Sequence, residues 1–118
     1  MIELPLRKIT VQEFQEMEFP ENDFFIYELI KGEIMKKNAP SPLHQKVSRR
    51  ITAAFEKFLA EKPIGDFFYS PIDVFFDEYS KAQPDLLFIS EARSFLIDMQ
   101  HGIMGAPDLI VELSRQVQ

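Results

Sequence analysis

At 118 residues the chain has the size of one domain spanning 1–118, with room for a core but near the low end of the common range. Hydrophobic content of 46% and twelve Phe exclude a disordered class, and the absence of Cys excludes disulfides, thiolate metal sites and cysteine catalysis. The net charge of −6 argues against nucleic-acid binding through bulk electrostatics. The charge is unevenly spread, however. Residues 31–62 hold eight Lys/Arg against the three acids Glu33, Glu56 and Glu61. Such a basic segment suits either a phosphate-binding face or a solvated helix face. No apolar run has the length of a membrane span, and Met1 to Thr10 lacks the apolar centre of a signal peptide, so a cytoplasmic protein is the default expectation.

Residues 10–18 open with a Thr followed three positions later by Glu13, a capping-box start for a short helix with Val11, Phe14 and Met17 on one face. Pro20 to Asp23 reads as a turn. Phe24 to Ile30 reads as a strand, and Lys31-Gly32 as a tight hairpin turn into a second strand, Glu33 to Lys37. The prolines of Asn38-Ala39-Pro40-Ser41-Pro42 make a loop. A helix follows from about Leu43 to Ala60, with Val47, Ile51, Ala54, Phe55, Phe58 and Leu59 expected on its packed face. Pro63 and Gly65 end it. Strands are then expected at Asp66 to Tyr69 with Pro71 to Phe76, at Asp85 to Ile89 and at Leu109 to Leu113, with a helical turn at Phe95 to Gln100. This order predicts an α/β or α+β domain on one mixed sheet.

Two acids carry the chemical interest. Asp85 opens the run Asp85-Leu86-Leu87-Phe88-Ile89, and Glu112 sits within Leu109-Ile110-Val111-Glu112-Leu113. An ionised carboxylate beside such buried strands is costly unless it is paired, hydrogen-bonded or bound to metal. Two of them converging at one sheet would suit Mg²⁺ (or Mn²⁺), a hard cation that takes oxygen ligands. Asp85 could instead cap a turn after Pro84, and Glu112 could be a surface residue. Glu28, near the hairpin, reads either as an exposed charge on an edge strand or as a third carboxylate for the same metal. His44 reads as a capping or surface residue, and His101 lies in a Gly-flanked loop. No serine has the glycine surroundings of a nucleophile elbow.

The succession Tyr27-Glu28-Leu29-Ile30-x-Gly32-Glu33-Ile34, Ala39-Pro40-Ser41-Pro42-x-His44-Gln45, Gln83-Pro84-Asp85-Leu86-Leu87-Phe88-Ile89 and Gly105-Ala106-Pro107-Asp108-Leu109-Ile110-Val111-Glu112-Leu113-Ser114 resembles the Uma2 family. Its members are restriction-endonuclease-like proteins of the PD-(D/E)XK superfamily, and the similarity runs from about Thr10 to Ser114. The resemblance implies a central mixed sheet flanked by helices and a Mg²⁺-dependent DNA endonuclease. Asp85 and Glu112 would be its metal ligands, and Glu28 would add to the catalytic site. The helix face with Lys46, Arg49 and Arg50 would contact nucleic acid.

Two departures accompany the resemblance. The superfamily motif has Lys two residues after the glutamate, where this chain has Ser114. In the family a lysine from a following helix is thought to substitute, and the sequence stops at Gln118, before such a helix and before the closing strand. Arg115 supplies charge there but no general base. An uncovered sheet edge and apolar face would then be expected, with a second copy covering them in a homodimer. The competing expectation is an inactive remnant that serves as a binding or assembly module.

Overall fold

The computed structural model describes residues 7–21 and 24–115. The expected turn at Pro20 to Asp23 and the reading of Met1 to Thr10 therefore lie partly outside the described residues. Among these, the chain forms α1 (Val11–Glu16), β1 (Phe25–Ile30), β2 (Glu33–Asn38), α2 (Pro42–Glu61), β3 (Gly65–Tyr69), β4 (Val74–Asp77), β5 (Ser80–Ala82), β6 (Leu86–Ser90), a 3₁₀ segment (Glu91–Leu96), β7 (Ile97–Asp98), β8 (Gly102–Ile103) and β9 (Leu109–Val111). The mixed α+β, restriction-endonuclease-like architecture expected from the sequence is borne out.

Local signals account for the early elements. Thr10 accepts from the Glu13 amide and the Glu13 carboxylate reaches back to the Thr10 amide, the reciprocal capping box expected at α1. The β1–β2 turn places Lys31 at φ 50° and Gly32 at φ 81°. Two consecutive positive φ values give the hairpin a twist that matches its strands, and Gly bears the second without penalty. Ser41 caps α2 by accepting from the His44 amide, and Pro42 occupies the first turn, where its missing N–H costs nothing.

The expected single sheet is in fact two. One sheet runs β2-β1-β5-β4-β8-β7 and the other β3-β6-β9. Prolines mark two of the places where the chain passes between them: Pro71 between β3 and β4, and Pro84 between β5 and β6. A residue without an N–H cannot continue a ladder, so each crossing ends one sheet and frees the chain to join the other. The two crossings meet where the Ser70 amide donates to the Asp85 carbonyl at 2.9 Å. Pro71 to Asp73 are accordingly not strand, and the stretch Phe95 to Gln100, expected as a helical turn, holds the end of the 3₁₀ segment followed by short β7.

β6 is the central strand of the smaller sheet, and Leu86, Leu87 and Ile89 are fully buried. Leu87 and Ile89 join Val74, Leu96 and Ile103 in a cluster packed against Phe68, Ile72, Phe76, Ile97 and Ile110. Burial on both faces explains an uninterrupted apolar run in place of alternation. Helix α2 lies against β3, where Phe55 stacks on Phe67 with ring centroids 4.4 Å apart. Its packed face is rotated from expectation. Ile51, Phe55 and Leu59 are half-buried as expected, whereas Val47, Ala54 and Phe58 are exposed together with Leu43. Amphipathic spacing defines a stripe wider than the one neighbour α2 meets here.

Candidate functional site

The site forms where the two sheets and the start of α2 meet. Because the Lys31-Gly32 turn sets the hairpin register, Ile26 pairs with Lys37 and Glu28 with Met35, so Glu28 and Lys37 are diagonal neighbours on one face. The Lys37 ammonium lies 3.2 Å from Glu28 Oε2 and 3.5 Å from Glu112 Oε2, and donates to the Gln83 carbonyl at 2.6 Å. Glu28 also accepts from the Gln83 amide at 2.7 Å. Gln83 completes its set by donating from Nε2 to Asp73 Oδ1 at 2.9 Å. The link between β5 and β6 is thereby tied to the β1–β2 hairpin, which fixes the residue that follows Pro84.

That residue is Asp85, 1% exposed. Its Oδ2 accepts from the Leu113 amide at 2.7 Å and from Arg115 Nη1 at 2.9 Å, while its Oδ1 accepts from Arg115 Nη2. The planar fork of Arg matches a carboxylate in this two-point arrangement. Burial alone pushes the Asp85 carboxyl upward. Arg115, the Leu113 amide and nearby His44 outweigh it and hold the carboxyl below its ordinary value. Arg115 Nη1 also lies 3.6 Å from Glu112 Oε2, so one guanidinium links the two acids singled out in the sequence. Glu112 follows the end of β9 and is half-exposed. Its carboxyl is raised, first by burial and further by Asp85 and Glu28, against the opposing pull of Lys37 and Arg115.

Glu28, Asp85 and Glu112 thus surround two side-chain cations, Lys37 and Arg115. Glu28 is not an exposed edge charge, because β1 lies between β2 and β5 and the carboxylate is largely buried. His44 is likewise no surface cap. It is buried with Nε2 3.1 Å from Asp85 Oδ2, though misaligned for a hydrogen bond, and its Nδ1 has no partner among the described residues. Lys37, Gln83 and His44 were missed as site residues. The hairpin register alone could have revealed Lys37, since a two-residue turn after Ile30 dictates its diagonal to Glu28. His44 and Gln83 carry no such local signal.

A cleft of about 630 Å³ opens beside these groups. Asp85, Arg115, Gln83 and His44 border it together with Ser48 and Arg49 of α2 and Tyr69 of β3. Of the helix cations expected to contact nucleic acid, Arg49 lines this cleft; Lys46 and Arg50 are exposed on α2 but do not line it.

Among the described residues, no group of three or more His, Asp or Glu is clustered tightly enough to hold a metal ion. The donor chemistry is nonetheless that of a hard-cation site: three carboxylates with no soft ligand, and with an ammonium and a guanidinium standing in as the positive charge they require. In chemistry, then, the residues fit a divalent ion. In the arrangement described, the positive charge beside the carboxylates comes from Lys37 and Arg115. Among the described residues no helix is long and apolar enough to cross a membrane.

The chain matches the Uma2 family model, described as "Putative restriction endonuclease", over residues 11–116. No curated protein matches the chain.

Proposed function

The chain belongs to the Uma2 family, which suggests a nuclease-like function, and from that premise we propose that it is a Mg²⁺- or Mn²⁺-dependent endonuclease hydrolysing DNA phosphodiesters. The observation that carries this reading is the convergence of Glu28, Asp85 and Glu112 on Lys37 and Arg115, with Asp85 bordering a cleft that Arg49 also lines. Asp85 and Glu112 would hold the ion, with Glu28 as an added acid of the catalytic site, and the ion would activate water and offset charge on the scissile phosphodiester.

The chain's own residues do the rest. The Leu113 amide and the buried surroundings orient Asp85, so its carboxylate needs no rearrangement of the backbone. Lys37, held by three oxygens, keeps a positive charge beside Glu112 and tempers the repulsion among the acids. Arg49 offers a guanidinium to a backbone phosphate in the cleft, while exposed Lys46 and Arg50 extend the positive surface along α2. A setting with access to cellular DNA, in the cytoplasm, accompanies this reading. The exposed stripe of Leu43, Val47 and Phe58 supports a homodimer, which sedimentation equilibrium would show as twice the chain mass.

The test is cleavage of supercoiled plasmid with Mg²⁺ or Mn²⁺ and with chelator. Cleavage that needs the ion and disappears in Asp85→Asn and Glu112→Gln is expected. A second reading, an inactive remnant acting as a binding or assembly module, is favoured by the cations already seated on the carboxylates. Plasmid bound but never cut would establish it in place of the first.

A further inference from the structure

Asp85 is engaged through both carboxylate oxygens, and one group of the chain itself takes both. Arg115 donates from Nη2 to Oδ1 and from Nη1 to Oδ2, with the Leu113 amide as a separate donor to Oδ2. We propose that Arg115 is an internal counter-cation which a divalent metal must displace, so that Asp85 holds either the guanidinium or the ion. The proposal rests on the metal-site reading above and adds to it the residue that controls entry.

Three features of the structure argue for exchange rather than for a permanent pair. The first is electrostatic. A divalent ion and a guanidinium sharing one buried carboxylate would place like charges within a few ångströms of each other in a poorly screened site. The second is that Arg115 is incompletely satisfied where it sits. Its Nε is buried without a partner among the described residues, and the further contacts given for it, at 3.4 Å to the Leu113 carbonyl and 3.6 Å to Glu112, are long. A buried donor left unmade weakens the hold of the two good bonds. The third is space. Arg115 borders the cleft, so its side chain has somewhere to go without unfolding β9 or the segment after it. The Leu113 amide stays on Asp85 Oδ2 throughout, keeping the carboxylate aimed while its cation changes.

The exchange predicts that metal affinity is held down by Arg115. The test uses Mn²⁺ alone as the probe, by calorimetry and by thermal denaturation with and without the ion, on the wild type, Arg115→Gln, Arg115→Lys and the double variant Arg115→Gln/Asp85→Asn. Arg115→Gln is expected to bind Mn²⁺ about tenfold more tightly than the wild type, ~1.4 kcal/mol. Its midpoint should also rise at Mn²⁺ concentrations that leave the wild type unmoved. The double variant should lose both effects. Should Arg115→Gln fail to fold without metal, Arg115→Lys keeps the charge without the fork and should show a smaller tightening in the same direction. Wild type binding Mn²⁺ as tightly as both Arg115 variants would overturn the exchange and leave the metal site standing. No Mn²⁺ response in any of the four proteins would overturn both.

Discussion

Replacing Asp85 by Asn strips one negative charge from beside an Arg115 side chain that is only 8% exposed. Removing one partner of a buried ion pair costs about 3–5 kcal/mol, because the survivor stays desolvated and unpaired. The Asn carbonyl can still accept from the Leu113 amide, which returns about 1 kcal/mol. The net loss is then about 2–4 kcal/mol, against a total stability of about 5–15 kcal/mol, so the variant should fold but with a much reduced margin. Urea denaturation followed by circular dichroism reads this directly. With a slope of about 1.5 kcal/mol per molar, the midpoint should fall by about 2 M at pH 7.

The pH dependence supplies a second check. The folded-state Asp85 carboxyl is held below its ordinary value, burial being outweighed by Arg115, the Leu113 amide and His44. Its contribution is therefore complete above the unfolded value of about 3.9 and is lost as pH falls through the folded one. The gap between wild type and Asp85→Asn should be constant from about pH 5 to 7 and close only below about pH 4. A loss under about 1 kcal/mol at pH 7, or a gap that persists unchanged to low pH, would refute the account of Asp85 as a buried paired carboxylate.

Glu112→Gln should behave in the opposite way. Its carboxyl is raised by burial, Asp85 and Glu28 against Lys37 and Arg115, so ionisation opposes folding above its folded value, and that opposition is relieved as pH falls. Because Glu112 is half-exposed, the variant should lie within about 0.5 kcal/mol of wild type in the same urea assay at pH 7. Leu87→Ala removes a fully buried side chain from the centre of the core cluster and should cost about 2–5 kcal/mol by urea denaturation. Arg49→Ala should weaken DNA binding and lower the slope of log K against log salt by about 1 in a fluorescence titration, whereas Arg50→Ala, outside the cleft, should change the slope less.

Everything set by residues within a few positions of one another was determined by the sequence itself. Thr10 and Glu13 define the start of α1, and Ser41-Pro42 defines the start of α2. Lys31-Gly32 defines a hairpin whose two-residue turn dictates its register. The apolar run from Leu86 to Ile89 defines a buried strand, and the ordered motifs define the family. Even Asp85 and Glu112 were legible as a pair of acids that needed partners. The identity of those partners was not, because each contact joins residues far apart in the chain. Lys37 meets Gln83, Glu28 meets Gln83, and Asp85 meets both Leu113 and Arg115. These meetings depend on where the chain changes sheet, as it does at Pro71 and Pro84, and on how far α2 turns its face toward β3. Spacing along the sequence sets which residues can share a face. Only the tertiary packing decided what stood opposite that face, and so turned a pocketed His44, a diagonal Lys37 and a clamping Arg115 into the surroundings of three carboxylates.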